Sequence, residues 1–146
     1  MNKLKFLIII TMLLSFSALA QDWQTNIDNA KALAKKGNHN IVLVFQGSDW
    51  CAPCIKLDKE IWSTGKFQDL AKHHFIMLQA DFPKRKKNQL SDSQTAHNTK
   101  LAEKYNPNGY FPYVVVLSPE GKVLGSIGYE KSTPEDYFKK LTAFEK

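Results

Sequence analysis

Three patterns of apolar and polar residues follow one another along this chain. The first is confined to residues 1–20: Lys3 and Lys5, a largely apolar run from Phe6 to Leu14, then small residues ending Ala18-Leu19-Ala20. A basic start, an apolar middle and a small-x-small end predict a secretory signal peptide cleaved after Ala20. The run is about nine residues long, against roughly 20 for a bilayer-crossing helix. An uncleaved anchor stretched through Ala20 would have to bury Ser15 and Ser17. No cysteine stands near the junction, which argues against a lipid-anchored form.

Helical and strand periods alternate after that. Trp23, Ile27, Ala30 and Leu33 or Ala34 predict an amphipathic helix over Trp23–Lys36, with Gly37 as its C-cap. Ile41 to Phe45 is a continuous apolar, β-branched run, expected of a strand buried on both faces. Cys54 to Trp62 reads as a helix offering Ile55, Leu57, Ile61 and Trp62 for burial, and Ser63 or Thr64 caps a further short helix through Lys72. Phe75 to Phe82 is a second buried strand. Pro83 to Asn98 lacks a period and reads as a loop running into a helix from about Thr95 to Tyr105. Asn106-Pro107-Asn108-Gly109 is a turn, Tyr113–Leu117 a third strand, Ser118–Gly121 a hairpin turn and Lys122–Ile127 a fourth strand. Thr133-Pro134-Glu135 combines a cap, a proline at N1 and an early acid, opening a last helix with Tyr137, Phe138, Leu141 and Phe144 on its apolar side. This order implies an α/β fold, a central mixed β-sheet flanked by helices on both faces. Residues 21–146 form one domain, without internal repeats or a linker.

Charge changes the picture only locally. The 146 residues carry a formal net charge of +6, and removing the signal peptide takes away only Lys3 and Lys5. Most of the remaining excess sits in Lys84-Arg85-Lys86-Lys87. Such a run marks a nucleic-acid or membrane patch in some proteins. An exported protein rarely meets nucleic acid, so a solvated loop is the expectation.

The two cysteines, Cys51 and Cys54, stand three apart. A bridge that short removes little entropy from the unfolded chain, so it is a poor staple. Switching between dithiol and disulfide explains the spacing better. Exchange requires a thiolate, and a helix N-terminus lowers a thiol's pKa. Cys51 lies at that end, and Cys54, one turn in and expected to be more buried, suits the resolving thiol. Pro53 leaves no N–H unsatisfied in the first turn. The competing reading, half of a zinc site, lacks a second ligand pair. His39, His73, His74 and His97 show no ligand-like spacing beyond the adjacent His73-His74, so no metal and no cofactor is expected.

Asp49-Trp50-Cys51-Ala52-Pro53-Cys54 after a buried strand, with Phe111-Pro112-Tyr113 before the next strand pair, resembles the thioredoxin superfamily over residues 24–146. Gly47-Ser48-Asp49-Trp50-Cys51 looks closest to its exported, thioredoxin-like branch. The resemblance implies a thioredoxin-like fold, with Cys51 as nucleophile, Cys54 as resolving cysteine and Pro112 as a cis-proline facing the pair. It implies substrate-binding roles for Trp50, Phe111 and Pro112. Two positions depart from the family pattern. Phe111 is bulkier than the residues common there, and the buried aspartate of thioredoxins is missing from Val42-Leu43-Val44-Phe45. Either water, or a nearby group such as Asp49 or Lys56, substitutes in proton transfer, or the protein does not work as a fast general reductase.

These readings converge on an exported thiol-disulfide oxidoreductase of the periplasm or extracellular space, a protein-disulfide reductase. Reduction is the favoured direction, because Pro53 before the second cysteine resembles reducing thioredoxins. The expected partners are proteins bearing disulfides or thiols and a membrane electron donor; no nucleic acid is expected, and the chain reads as a monomer. The alternatives are a non-catalytic thioredoxin-fold binding module or chaperone using Trp50, Phe111 and Tyr113, and a metal-delivery protein.

Overall fold

Alternation along one strand organises the molecule. A computed structural model describes residues 21–146, and the expected signal peptide, residues 1–20, lies outside the described residues. β1 (Asn40–Gln46) is the centre of a four-stranded sheet in the order β2-β1-β3-β4. It pairs in parallel with β2 (Phe75–Asp81) and antiparallel with β3 (Tyr113–Leu117), which in turn pairs antiparallel with β4 (Val123–Ile127). With partners on both sides, every residue of Ile41–Phe45 is buried, and successive side chains go to opposite faces. Val42 and Val44 enter one core layer, and Ile41, Leu43 and Phe45 enter the other. This is the mixed sheet with helices on both faces that the sequence predicts.

The layer of Val42 and Val44 is closed by three helices. These are α2 (Ala52–Leu57, continued by a π turn over Asp58–Trp62), α3 (Gly65–Ala71) and α5 (Pro134–Thr142), which supply Leu57, Ile61, Trp62, Phe67, Tyr137 and Leu141. Trp62 meets Trp23, Phe67 and Tyr137 edge-on at centroid separations of 6.1, 4.9 and 5.3 Å, the geometry aromatic quadrupoles favour. The buried Tyr137 hydroxyl donates to the Gly128 carbonyl at 2.9 Å. On the opposite face, α1 (Ile27–Gly37) and α4 (Asp92–Tyr105) contribute Ala30, Ala34, Leu101 and Tyr105. Among the described residues no helix is long and apolar enough to cross a membrane.

Four local expectations need correction. The first helix begins at Ile27 instead of Trp23, because Asn26 caps it by accepting from the Asp28 and Asn29 N–H groups at 2.8 and 3.1 Å. Residues before that cap run extended: Gln24 bonds β2 through Met77 and Gln79, and Trp23 crosses to the Trp62 layer. Gly37 is the last helical residue, and the left-handed cap is Asn38 (φ 52°). α4 starts at Asp92 instead of Thr95, because the Ser91 hydroxyl accepts from the Gln94 N–H at 3.2 Å and provides an earlier N-cap. Ile55 is 48% exposed, while Leu57, Ile61 and Trp62 are buried. The helix widens after Leu57, with the Ser63 N–H donating to the Asp58 carbonyl at 2.8 Å.

The contrast within α2 is measurable. Leu57→Ala removes a fully buried side chain and should lower unfolding free energy by about 2–5 kcal/mol. Ile55→Ala should stay within about 0.5 kcal/mol of the parent. Urea unfolding with an unchanged m-value reads both, and equal losses would contradict the packing described.

Candidate active site

β1 ends at Gln46, and Gly47–Trp50 carries the chain from the sheet into α2. The Gly47 carbonyl closes this turn, accepting from the Trp50 N–H at 3.3 Å and the Cys51 N–H at 2.9 Å. Glycine is required by close approach, since a Cβ there would overlap the Trp50 indole. Ser48 ties the turn to β2, donating to the Asp81 carboxylate from its N–H at 2.9 Å and its hydroxyl at 2.6 Å.

Cys51 is the N-cap residue of α2, with extended backbone (φ −88°, ψ 98°), and its Sγ accepts from the Cys54 N–H at 3.3 Å. A sulfur at this position stands where a capping oxygen ordinarily satisfies a free helix donor. Pro53 falls in the first turn, where a missing N–H leaves no bond unmade. Cys51 and Cys54 are joined by a disulfide, with Cα atoms 5.2 Å apart, so the structure is of the oxidised form. The expected difference in burial is absent, since each cysteine is 3% exposed. In the bonded state the Cys51 sulfur is folded in over the first helical turn, and the two share one environment.

Trp50 is 38% exposed beside the pair. Its indole N–H donates to the Phe82 carbonyl at 2.7 Å. Phe111 meets Trp50 and Phe82 edge-on, each at 5.6 Å. The fold thus brings Trp50 and Phe111 together from segments about sixty residues apart in the numbering. Asn106, 3% exposed, holds the second segment by exchanging hydrogen bonds of 2.8 and 3.0 Å with the backbone of Tyr110. The Phe111–Pro112 peptide bond that follows is cis, and Pro112 is buried where β3 begins.

Of the candidate substitutes for the missing buried acid, the two side chains are engaged elsewhere. Asp49 accepts three hydrogen bonds, each at 2.9 Å, from the Lys84 N–H, the Arg85 N–H and the Asn88 side-chain amide. These donors, the Lys84 N–H foremost, hold its carboxyl below the usual carboxylate range. Lys56 lies over the Tyr129 ring at 5.4 Å and 3.9 Å from Glu60. Beside Cys54, however, a cleft of about 370 Å³ opens, lined by Trp23, Gln46, Ser48, Ile55, Asp58 and Gln79. It is polar and roomy enough for water.

Sequence reasoning missed Phe82, Lys84 and this cleft. The spacing between residues 49 and 84 carries no periodic signal, because β2 and its following loop reach the motif only through sheet pairing. His74, one of the adjacent histidine pair, places its Nε2 2.7 Å from Glu145 Oε2 in the last turn, Ala143–Glu145. Among the described residues no three His, Cys, Asp or Glu side chains gather as metal ligands.

A family model described as thioredoxin-like matches residues 22–119. The chain belongs to the thioredoxin-like family. It is 35% identical over 108 residues to the disulfide bond reductase DsbH of Chlamydia pneumoniae, covering 74% of this chain and 63% of that protein. The match therefore spans somewhat less than two thirds of that relative's length. The thioredoxin-related protein DsbJ of the same organism is 26% identical over 106 residues, 73% of this chain and 30% of its own. Among solved structures, a DsbH oxidoreductase superposes with a TM-score of 0.77 at 31% identity, covering 84% of this chain and 83% of that one. The disulfide-bonded Cys51 and Cys54 lie within the residues that this family model matches.

The Asp49 geometry sets a pH signature. Its depressed carboxyl keeps the bonds to the loop intact above the ordinary carboxylate pKa of about 3.9 and releases them only as pH falls below it. The Lys84 and Arg85 amide resonances should hold steady from pH 7 to about 4 and move below that. A midpoint at or above the ordinary value would contradict the arrangement.

Proposed function

We propose that this chain is a thiol-disulfide oxidoreductase acting on protein disulfides in the cell envelope, and that it works as a reductant. The observation that carries the reading is the Cys51–Cys54 pair at the start of α2, with the Cys54 N–H aimed at the Cys51 sulfur. That N–H and the helix start favour the thiolate of Cys51 once the bridge is open. Cys51 then attacks one sulfur of a substrate disulfide, and the other substrate sulfur leaves as a thiolate and takes up a proton. Cys54 attacks Cys51 in the mixed disulfide, releasing the second substrate thiol and restoring the Cys51–Cys54 bond. Two electrons have passed to the substrate, and a dithiol donor must return them.

In this scheme the proton of Cys54 leaves through the cleft beside it, with water as carrier and Asp58 as the carboxylate present there. Trp50 and Phe111 form an aromatic wall for the substrate segment, and Pro112 positions it by its backbone. Support for the reducing direction comes from the printed name of the Chlamydia relative, a disulfide bond reductase, and from Pro53 in the motif. The envelope location rests on residues 1–20 as a signal peptide, which would leave Gln21 as the first residue of a monomeric mature domain. A reductant there draws on a membrane electron donor.

The redox potential of the mature protein in dithiothreitol or glutathione buffers should fall near the thioredoxin value, about −270 mV. A value near the −120 mV of strong oxidants would overturn the direction. Cys54→Ser should accumulate a mixed disulfide with substrate and Cys51→Ser should not. Trapping by the opposite variant would reverse the two roles. Intact-mass analysis of exported protein should begin at Gln21.

A further inference from the structure

The basic run has a defined place in the fold. Lys84–Lys87 lies in the loop after β2, and all four side chains are exposed. The loop is bound at its backbone by Asp49, two residues before the nucleophile proposed above. Lys84 extends back across the site, its ammonium 3.8 Å from the centroid of the Trp50 ring, within cation–π range. Trp50 in turn bonds the Phe82 carbonyl at the root of the same loop. A solvated loop needs none of these attachments.

The charge on the loop is left largely unanswered. Ion pairs among the described residues use Lys56, Lys66, Lys72, His74, Lys139 and Lys140, and none uses Lys84, Arg85, Lys86 or Lys87. Asp49 offsets one cation through the backbone, and Asp81 directs its carboxylate to Ser48 and the Phe82 N–H. Uncompensated like charges held together on a rigid rim repel one another, and their joint potential is relieved by an anionic partner.

We propose that loop 83–88 is a docking surface for an acidic segment of the partner protein, next to the cysteine it exchanges with. The proposal rests on Cys51 being the exchanging cysteine. An acidic protein segment fits better than a membrane surface, because the loop borders Trp50 and Cys51 and a bilayer lying on it would cover the pair. Electrostatic complementarity of this kind speeds encounter and fixes orientation, and it weakens with salt.

The test uses the reduced mature chain and two disulfide-linked peptide substrates, identical except that glutamates in one replace lysines in the other beside the disulfide. At low ionic strength the acidic peptide should be reduced roughly tenfold faster, with the gap closing at about 1 M salt, where the Debye length is near 3 Å. The double variant Lys86→Glu/Lys87→Glu should reverse the preference. Its reduction of the small neutral disulfide of 2-mercaptoethanol should be unchanged. A cysteine-free acidic peptide, titrated by anisotropy, reads docking without chemistry. Equal rates for the two peptides, or equal loss for both in the variant, would overturn the proposal. So would charge reversal that abolishes only adhesion to phosphatidylglycerol vesicles. A chain that binds the acidic peptide through this loop but reduces no disulfide would retain the docking surface and overturn the reductase reading instead.

Discussion

β1 is paired on both edges and covered on both faces, and this double burial organises everything around it. A strand in that position has no solvent side, so each of its side chains must belong to one apolar layer or the other. Val42 and Val44 commit α2, α3 and α5 to one face, and Ile41, Leu43 and Phe45 commit α1 and α4 to the other. Because the strand is rigid, its C-terminal end is a fixed point. Gly47 turns the chain there, and the Gly47 carbonyl sets Cys51 at the start of α2. The cysteine pair is therefore mounted at the end of a strand buried on both faces.

From that point the site is assembled by polar groups that reach between loops. Asp81 at the end of β2 takes up Ser48, Asp49 takes up the loop after β2, and Trp50 takes up the Phe82 carbonyl. Parallel pairing of β1 with β2 brings Gln46 opposite Asp81, so the two strands end side by side and their loops meet. Phe111 arrives from the segment before β3 and closes against both Trp50 and Phe82. The aromatic wall is shared by three loops, while the cysteine pair belongs to one helix start. The cysteine pair is held by the end of the buried strand, the aromatic groups come from the loops beside it, and the basic loop continues from one of these, after Phe82.

In the proposed scheme, proton handling follows a different arrangement from the one the family pattern implies. With Val42–Phe45 entirely apolar, no ionisable group lies in the strand under the motif. Asp49, the acid nearest in sequence to the pair, is turned toward the Lys84 and Arg85 amides. What Cys54 has beside it is a polar cleft bounded by Gln46, Gln79 and Asp58, where Gln46 and Gln79 bond each other at 3.3 Å. In the proposed scheme water in this cleft carries the proton, which avoids the desolvation cost of an ionisable group buried in the core.

The amino-acid sequence by itself determined the elements that depend on local chemistry. The period-two and period-3.6 patterns, a cap at Ser63 or Thr64, the cap at Thr133 and the proline at Pro134 are each readable within a few residues, and the observed α3 and α5 start at these signals, with Thr64 and Thr133 as the caps. The cysteine spacing and the following apolar positions likewise located the cysteine pair at a strand-to-helix junction. Tertiary structure decided what depends on contacts between distant segments. Ile55 satisfies the helical pattern yet faces solvent, because the core face of α2 is filled by Leu57, Ile61 and Trp62. Trp23 left its expected helix because β2 offered Gln24 a ladder and Trp62 offered its ring a partner. Asp49 and Lys84 became parts of one site only through the pairing of β1 with β2. Local rules act over the span of a turn, whereas burial and carboxylate pairing are settled by whichever neighbours the sheet brings within a few ångströms.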